Sequence, residues 1–251
     1  MPTLAFFGAT GGCAKACLVH ALSAGYDTIA LARTPSKLTA LLRESGVKEE
    51  DLDNHLTIVD GNVKDTEAVK RALVLNGKVV DIIISGIGST PKLQFSLFRP
   101  VTLHDPTVCN DAVCTILSAL SELKCSTKPL FAMLSTTGIT TGPRDVPILY
   151  LPIYHWLAVP HEDKRLAENV LSHHAHKPEQ ERIIKGYVSI RPTLLADGDS
   201  LGIEKVKVGL DDKPALGYRI RRNDVGLWIF EELLKKRSED KFLNRGVTLT
   251  Y

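Results

Sequence analysis

Residues 4–14 read LAFFGATGGCA, and this stretch constrains the fold more than any other. An apolar run, Leu4–Phe7, meets a glycine turn holding Gly8, Thr10, Gly11 and Gly12. A helical pattern follows at once, with Ala14, Cys17, Leu18, Ala21 and Leu22 at i, i+3, i+4, i+7 and i+8. Strand, glycine turn and helix in that order make a phosphate cradle. Glycine lets the backbone come close, and the free N–H groups of a helix start attract an anion. The spacing is G-x-x-G-G-x-A, with Ala14 where a third glycine often sits; alanine still permits close helix–strand packing. The expectation is a dinucleotide pyrophosphate held by Gly8, Thr10, Gly11, Gly12, Cys13 and Ala14.

The rest of the chain alternates apolar strands with amphipathic helices. Strands are expected over Thr28–Leu31, Leu56–Val59, Val79–Ser85, Leu130–Leu134 and Tyr187–Arg191, and a last edge strand over Val247–Tyr251. VVDIIIS has the continuous β-branched character of a parallel strand buried on both faces. Helices are expected from Thr34-Pro35, over Thr66–Leu75, Val108–Leu123 and His161–His173, and from Asp224 to Leu234 with Asn223 as cap. Gly138–Pro160 reads as a proline-bearing loop. This order implies an α/β fold: a Rossmann-like, doubly wound, mostly parallel sheet with helices on both faces. One domain is expected over residues 1–251. Its substrate-side loops fall mainly within 135–160 and 192–222 and build a small cap.

Composition narrows the class. Net charge is +2, which predicts no broad basic face for nucleic acid. No apolar stretch approaches the ~20 residues that span a bilayer, and no cationic leader precedes the first strand. The cysteines, Cys13, Cys17, Cys109, Cys114 and Cys125, are odd in number and lack metal-type spacing. That suits a reduced, cytoplasmic protein. Cys13 reads as a small residue tolerated in the turn. The cluster His173, His174 and His176 matches no strong zinc pattern.

An acidic residue about 20 positions past the glycine turn would hold a ribose 2′-hydroxyl. Here that place reads ALARTPSK and has no carboxylate. Arg33 and Lys37 are cations, and Thr34 and Ser36 add hydroxyls. A guanidinium grips a 2′-phosphate bidentately where a carboxylate would repel it, so NADP(H) is expected over NAD(H). Asn62 and Val63, after the third strand, are placed to bracket the adenine. Gly86 and Gly88, after the fourth, are small enough for the ribose to lie against the backbone.

These segments resemble the atypical short-chain dehydrogenase/reductase group, in particular the NmrA-like and NAD(P)H-binding proteins related to flavin reductase/biliverdin IXβ reductase. GATGGCAKACLVHALSAGYD resembles the family's opening turn and helix, and ARTPSKL its 2′-phosphate loop. VDGNVKD resembles its adenine loop, with Asn62 in an aspartate position. FAMLSTTG, KRLAENVL and VSIRPTLL resemble the fifth strand, the next helix and the sixth strand, whose proline turn is Pro192. The resemblance implies a bound NADPH with Pro192 beside it. It also matches Lys164 to the lysine of a Tyr-x-x-x-Lys pair, which holds the nicotinamide ribose. Four residues earlier stands Pro160, so the usual tyrosine is missing.

Candidate chemistry falls on two segments. Ser135, at the end of the fifth strand, is placed to hydrogen-bond a substrate carbonyl. On the later helix, His161, Lys164 and Glu168 share one face, and Asp163 is placed to orient a cation. The helix start disfavours a cationic His161, leaving it poised near neutrality as a proton donor or acceptor. Tyr154 lies in an aromatic loop suited to lining an apolar pocket. Three functions follow. The first is an NADPH-dependent oxidoreductase on a small carbonyl, quinone or polycyclic aromatic substrate, as monomer or homodimer. The alternatives are an NADP(H)-sensing regulator and a non-redox isomerase, dehydratase or cyclase on a dehydrogenase scaffold.

Overall fold

The computed structural model describes residues 1–89, 91–93, 101–124 and 128–251. Eight strands form the main sheet: β1 (Leu4–Phe7), β2 (Thr28–Ala32), β3 (Leu56–Asp60), β4 (Ile82–Ser85), β5 (Leu130–Leu134), β6 (Gly186–Pro192), β7 (Lys207–Leu210) and β8 (Arg245–Thr250). Their spatial order is β7-β8-β6-β5-β4-β1-β2-β3. Every neighbouring pair is parallel except β7–β8. The chain leaves β1 to one side for β2 and β3, then returns to the other side for β4. Between β1 and β4 the strand order reverses, and their carboxyl ends frame a crevice.

The strands alternate sides with period two, so each face collects its own core. Leu4 and Phe6 point to one face, where α1 (Gly12–Ser23), α2 (Pro35–Glu44) and α8 (Arg222–Trp228) pack with Cys17, Leu18, Leu38, Leu42 and Trp228. Ala5 and Phe7 point to the other, against α4 (Thr66–Ala72), α5 (Val108–Leu123) and α7 (Ala158–Ala175). Both layers are buried, which is why β4 reads as an unbroken apolar run.

Several expected boundaries move. The helix near Thr66 stops at Ala72, because Asn76 (φ 52°) and Gly77 (φ 74°) turn a hairpin that pairs Val74 with Val79. Asn-Gly is a strong hairpin signal, and it shortens the following strand to Ile82–Ser85. A helix unforeseen from sequence, α3 (Glu49–His55), opens on three acidic residues, which suits a helix N-terminus. Asn223 is not a cap: α8 begins at Arg222, and the Asn223 side chain donates to the Gly198 carbonyl. After Trp228 the chain continues as a wider coil over Ile229–Lys235. Nor is β8 an edge strand. The edge on that side is β7, which pairs antiparallel with β8.

The expected loop over 138–160 holds a turn at Ile148–Tyr150, helix α6 (Leu151–Trp156) and the start of α7 at Ala158. Pro152 and Pro160 sit in first turns, where a missing N–H costs little. Cys125 lies outside the described residues.

Candidate active site

Gly8, with φ 75°, ends β1 so closely against β4 that a Cβ would lie 2.7 Å from the Gly86 carbonyl carbon. A Cβ on Gly86 would meet Ala14 at 2.6 Å. These contacts need two glycines and explain why alanine serves at position 14. Helix α1 starts at Gly12 with no side-chain cap and no acidic residue in its first turn. Its first N–H groups therefore present unneutralised positive potential to the crevice. Thr10 and Gly11 are exposed there.

A cleft of about 630 Å³ runs from this turn along the carboxyl ends of β1 to β4. Gly8, Thr10 and Gly11 form one wall, and Arg33, Thr34 and Lys37 form the end beyond β2. Asn62, Val63, Gly86 and Gly88 line the opposite side. Asn62 closes its own turn, its side-chain oxygen accepting from the Lys64 N–H at 3.1 Å. Ser36 is exposed but does not line the cleft, which departs from the sequence reading. Gly12, Cys13 and Ala14 stand behind the turn in α1. Burial pushes the Cys13 thiol up to about 12, so it stays an uncharged packing group.

Sequence reasoning missed the far wall. Lys64 lines the cleft and reaches Asp105 at 2.8 Å and Asp111 at 2.9 Å, tying the loop after β3 to the start of α5. It missed Arg222 as well. The Arg222 side chain lies across Gly12, where any Cβ would overlap its Cδ. Its guanidinium donates to the exposed Asp197 at 2.7 Å. Only the fold brings this cation, some two hundred residues distant in the chain, onto the glycine turn.

At the other end of the crevice, Lys164 reaches from α7 into the sheet. Its Nζ donates to the carbonyls of Ile87 (2.8 Å) and Leu134 (2.5 Å), joining the ends of β4 and β5. An ammonium has three N–H groups, and the third lies within reach of the Cys109 thiol. Glu168, on the same helix, makes no ion pair with Lys164 among the described residues. Glu168 instead accepts from Arg191 through both oxygens, at 2.5 and 3.1 Å, in a half-buried network that includes Asp211. Asp163 orients no cation: it accepts from the Cys109 and Asn110 N–H groups, both 2.9 Å, and caps α5.

Ser135 follows β5. Its backbone N–H donates to Ile190, but its hydroxyl is buried without a partner among the described residues. Pro192 ends β6 nearby, and the Thr137 N–H donates to its carbonyl at 3.2 Å. The Thr137 hydroxyl meets the Tyr154 phenol at 2.7 Å, and both side chains are buried. The left-handed Gly138 (φ 83°) makes room, since a Cβ there would overlap the Tyr154 ring. Burial raises the Tyr154 pKa, so the phenol keeps its proton at neutral pH. His161 packs its ring 5.2 Å from that of Tyr154. Burial lowers its pKa to about 4, well below the neutrality expected from sequence.

These residues fit a dinucleotide: a cradle too tight for side chains, an uncapped helix start, a cationic far end and an orphaned hydroxyl. No helix among the described residues is long and apolar enough to cross a membrane. A reductase of Aspergillus terreus, pytE, is 45% identical over 260 residues, spanning 100% of this chain and 98% of its own. An Aspergillus niger protein named oxidase pynE is 38% identical over 99% of this chain and 98% of its own. A short-chain dehydrogenase/reductase of Veillonella parvula, solved with NADP, superposes with TM-score 0.68 at 16% identity, over 100% of this chain and 94% of its own. ChuY, an anaerobillin reductase of Escherichia coli O157:H7, gives TM-score 0.67 at 19% identity, over 99% and 96%. These two share the fold. The profile of the NAD(P)H-binding family matches residues 8–236, and the chain belongs to that family, as a protein of oxidoreductase type.

Proposed function

We propose that the protein is an NADP(H)-dependent oxidoreductase of the atypical short-chain dehydrogenase/reductase type, acting on a small carbonyl, quinone or polycyclic aromatic substrate. The observation that carries this reading is the buried, partnerless hydroxyl of Ser135, set beside the Thr137–Tyr154 pair at the carboxyl ends of the central strands. A buried hydroxyl without a partner is costly, and an acceptor oxygen at that position would satisfy it.

Bound NADPH supplies a hydride to the acceptor carbon. Arg33 and Lys37 hold the 2′-phosphate, with Thr34 beside them. The α1 amides would hold the diphosphate, and Arg222, lying across Gly12, would add a cation beside it. Lys164 would present its Nζ to the nicotinamide ribose. Ser135 donates to the acceptor oxygen, and Tyr154, protonated and aligned by Thr137, delivers the proton that completes the reduction. With Pro160 in place of the usual tyrosine, Tyr154 takes the acid's role from a different point of the fold. His161 stays neutral and positions the Tyr154 ring. The loops within 135–160 and 192–222 form the substrate cap of a single domain, and the free cysteines suit a reducing, cytoplasmic setting.

The test is loss of the near-ultraviolet absorbance of NADPH when purified protein meets a panel of carbonyl, quinone, flavin and tetrapyrrole acceptors. Turnover of one class that falls sharply in Tyr154→Phe supports the reading. Tight NADPH binding with no turnover across the panel refutes it in favour of a sensor. Substrate conversion that survives complete removal of nucleotide refutes it in favour of non-redox chemistry.

A further inference from the structure

Above Tyr154 the cap carries a second concavity, separate from the dinucleotide cleft. It is an open depression of about 600 Å³ between the turn after Asp145 and the loop before Arg219. Its walls are Arg144, Pro147, Ile148, Leu149, Leu216 and Tyr218. The volume falls in the range of small-molecule sites.

The walls are fixed rather than loose. On one side, the Gly138 N–H donates to both oxygens of the buried Asp145, each at 3.1 Å, which pins the loop leading to Ile148. On the other, the Ala215 N–H donates to the Thr248 hydroxyl at 2.7 Å, and Gly217 packs on Thr250 with no room for a Cβ. Across the floor, the rings of Tyr150 and Tyr218 meet edge to face at 4.9 Å. Yet these anchored walls hold Ile148 69% and Leu149 74% exposed. Two built walls that keep aliphatic side chains in water are a site for an apolar ligand.

Two further observations define that ligand. Arg144, on the rim, has no carboxylate within ion-pair distance among the described residues, so its charge is available for an anion. Tyr218, a wall residue, meets the Tyr150 ring just before α6, and four residues on, Tyr154 of α6 meets Thr137.

We propose that this concavity binds the apolar, acyl or aryl tail of an acidic substrate, with Arg144 taking the carboxylate or enolate and the reducible carbon lying below, toward Ser135. The placement of the reducible end rests on the oxidoreductase reading; the tail site stands on its own walls.

The probes are butyrate, decanoate and methyl decanoate, titrated calorimetrically into the full chain with and without saturating NADP⁺. Decanoate should bind about tenfold or more tighter than butyrate, since several more methylenes leave water. It should bind roughly three- to fivefold tighter than its ester, a preference that salt weakens. Leu149→Asp should abolish the chain-length gain, and Arg144→Gln the acid preference. Both side chains are exposed, so the melting temperature and NADPH affinity should hold in each variant. Decanoate no tighter than butyrate, or wild-type binding by both variants, overturns the proposal. So does concentration-dependent dimerisation, or adsorption to phosphatidylcholine vesicles, that Leu149→Asp abolishes without any effect on decanoate. Failure to bind NADPH would refute the cofactor reading alone, because the tail titration is also read on the nucleotide-free chain.

Discussion

The hydroxyl of Thr137 and the phenol of Tyr154 face each other at 2.7 Å beneath the cap, one from the loop after β5 and the other from α6. Neither side chain is exposed, and the Thr137 hydroxyl has one other acceptor, the Pro192 carbonyl at 3.4 Å. Removing the phenol oxygen separates chemistry from folding. Tyr154→Phe should cost about 1 kcal/mol of stability, the net worth of one neutral hydrogen bond. Turnover should fall about 100-fold or more, as for loss of a positioned acid. NADPH affinity should not change. Steady-state kinetics beside a thermal melt checks this; unaltered kcat removes Tyr154 from the reaction.

On the proposed reading, Arg33 and Arg222 would grip different parts of one dinucleotide. Arg33→Ala should weaken NADPH by roughly 10- to 100-fold, the worth of a charged hydrogen bond, and leave NADH affinity as it was. Calorimetry with both nucleotides reads the difference.

Arg222→Ala should instead weaken NADPH and NADH by equal factors of about 10, because the diphosphate is common to both. Binding of adenosine 2′-monophosphate, which carries neither phosphate of that diphosphate, should be the same as in the wild type. Selective loss of one nucleotide would place Arg222 elsewhere.

His161 imposes a pH dependence on stability. Its pKa falls from 6.5 in the open chain to about 4 in the fold, through burial. The unfolded chain therefore binds more protons between these values, and stability must drop as pH falls through that window. The loss is at most about 3 kcal/mol at ~1.4 kcal/mol per unit. Urea titrations across this range should show a shallower slope in His161→Gln than in the wild type.

Glu168 and Arg191 form the best-buried ion pair among the described residues, with side chains 9% and 11% exposed. Glu168→Gln leaves a guanidinium with only Asp211 to neutralise it, at a cost of about 3 kcal/mol. Trp228, buried against Phe242, gives the fluorescence signal for denaturant unfolding.

The parts legible in the sequence were those whose physics is local. Gly8, Gly11 and Gly12 mark a turn by their own conformational freedom, and the lack of a carboxylate near Arg33 is a statement about neighbours in the chain. The central strands β1, β4 and β5 were legible because burial on both faces leaves a near-continuous apolar run. Arg222 and Lys64 were not, since nothing around either residue records that distant segments fold beside it. The same is true of Glu168, whose partner Arg191 comes from another strand rather than the next helical turn. α6 was hidden by its prolines, which read as loop yet occupy first turns. The hairpin at Asn76-Gly77 was readable and was overlooked in favour of a longer helix.

The staple from Lys164 to Ile87 and Leu134 has a lasting consequence for anything that enters the crevice. A crevice wall clasped by the chain's own side chain does not have to be moulded by its guest. Little ordering is then charged against affinity, and the pocket stands ready at the same width whether the nicotinamide arrives oxidised or reduced.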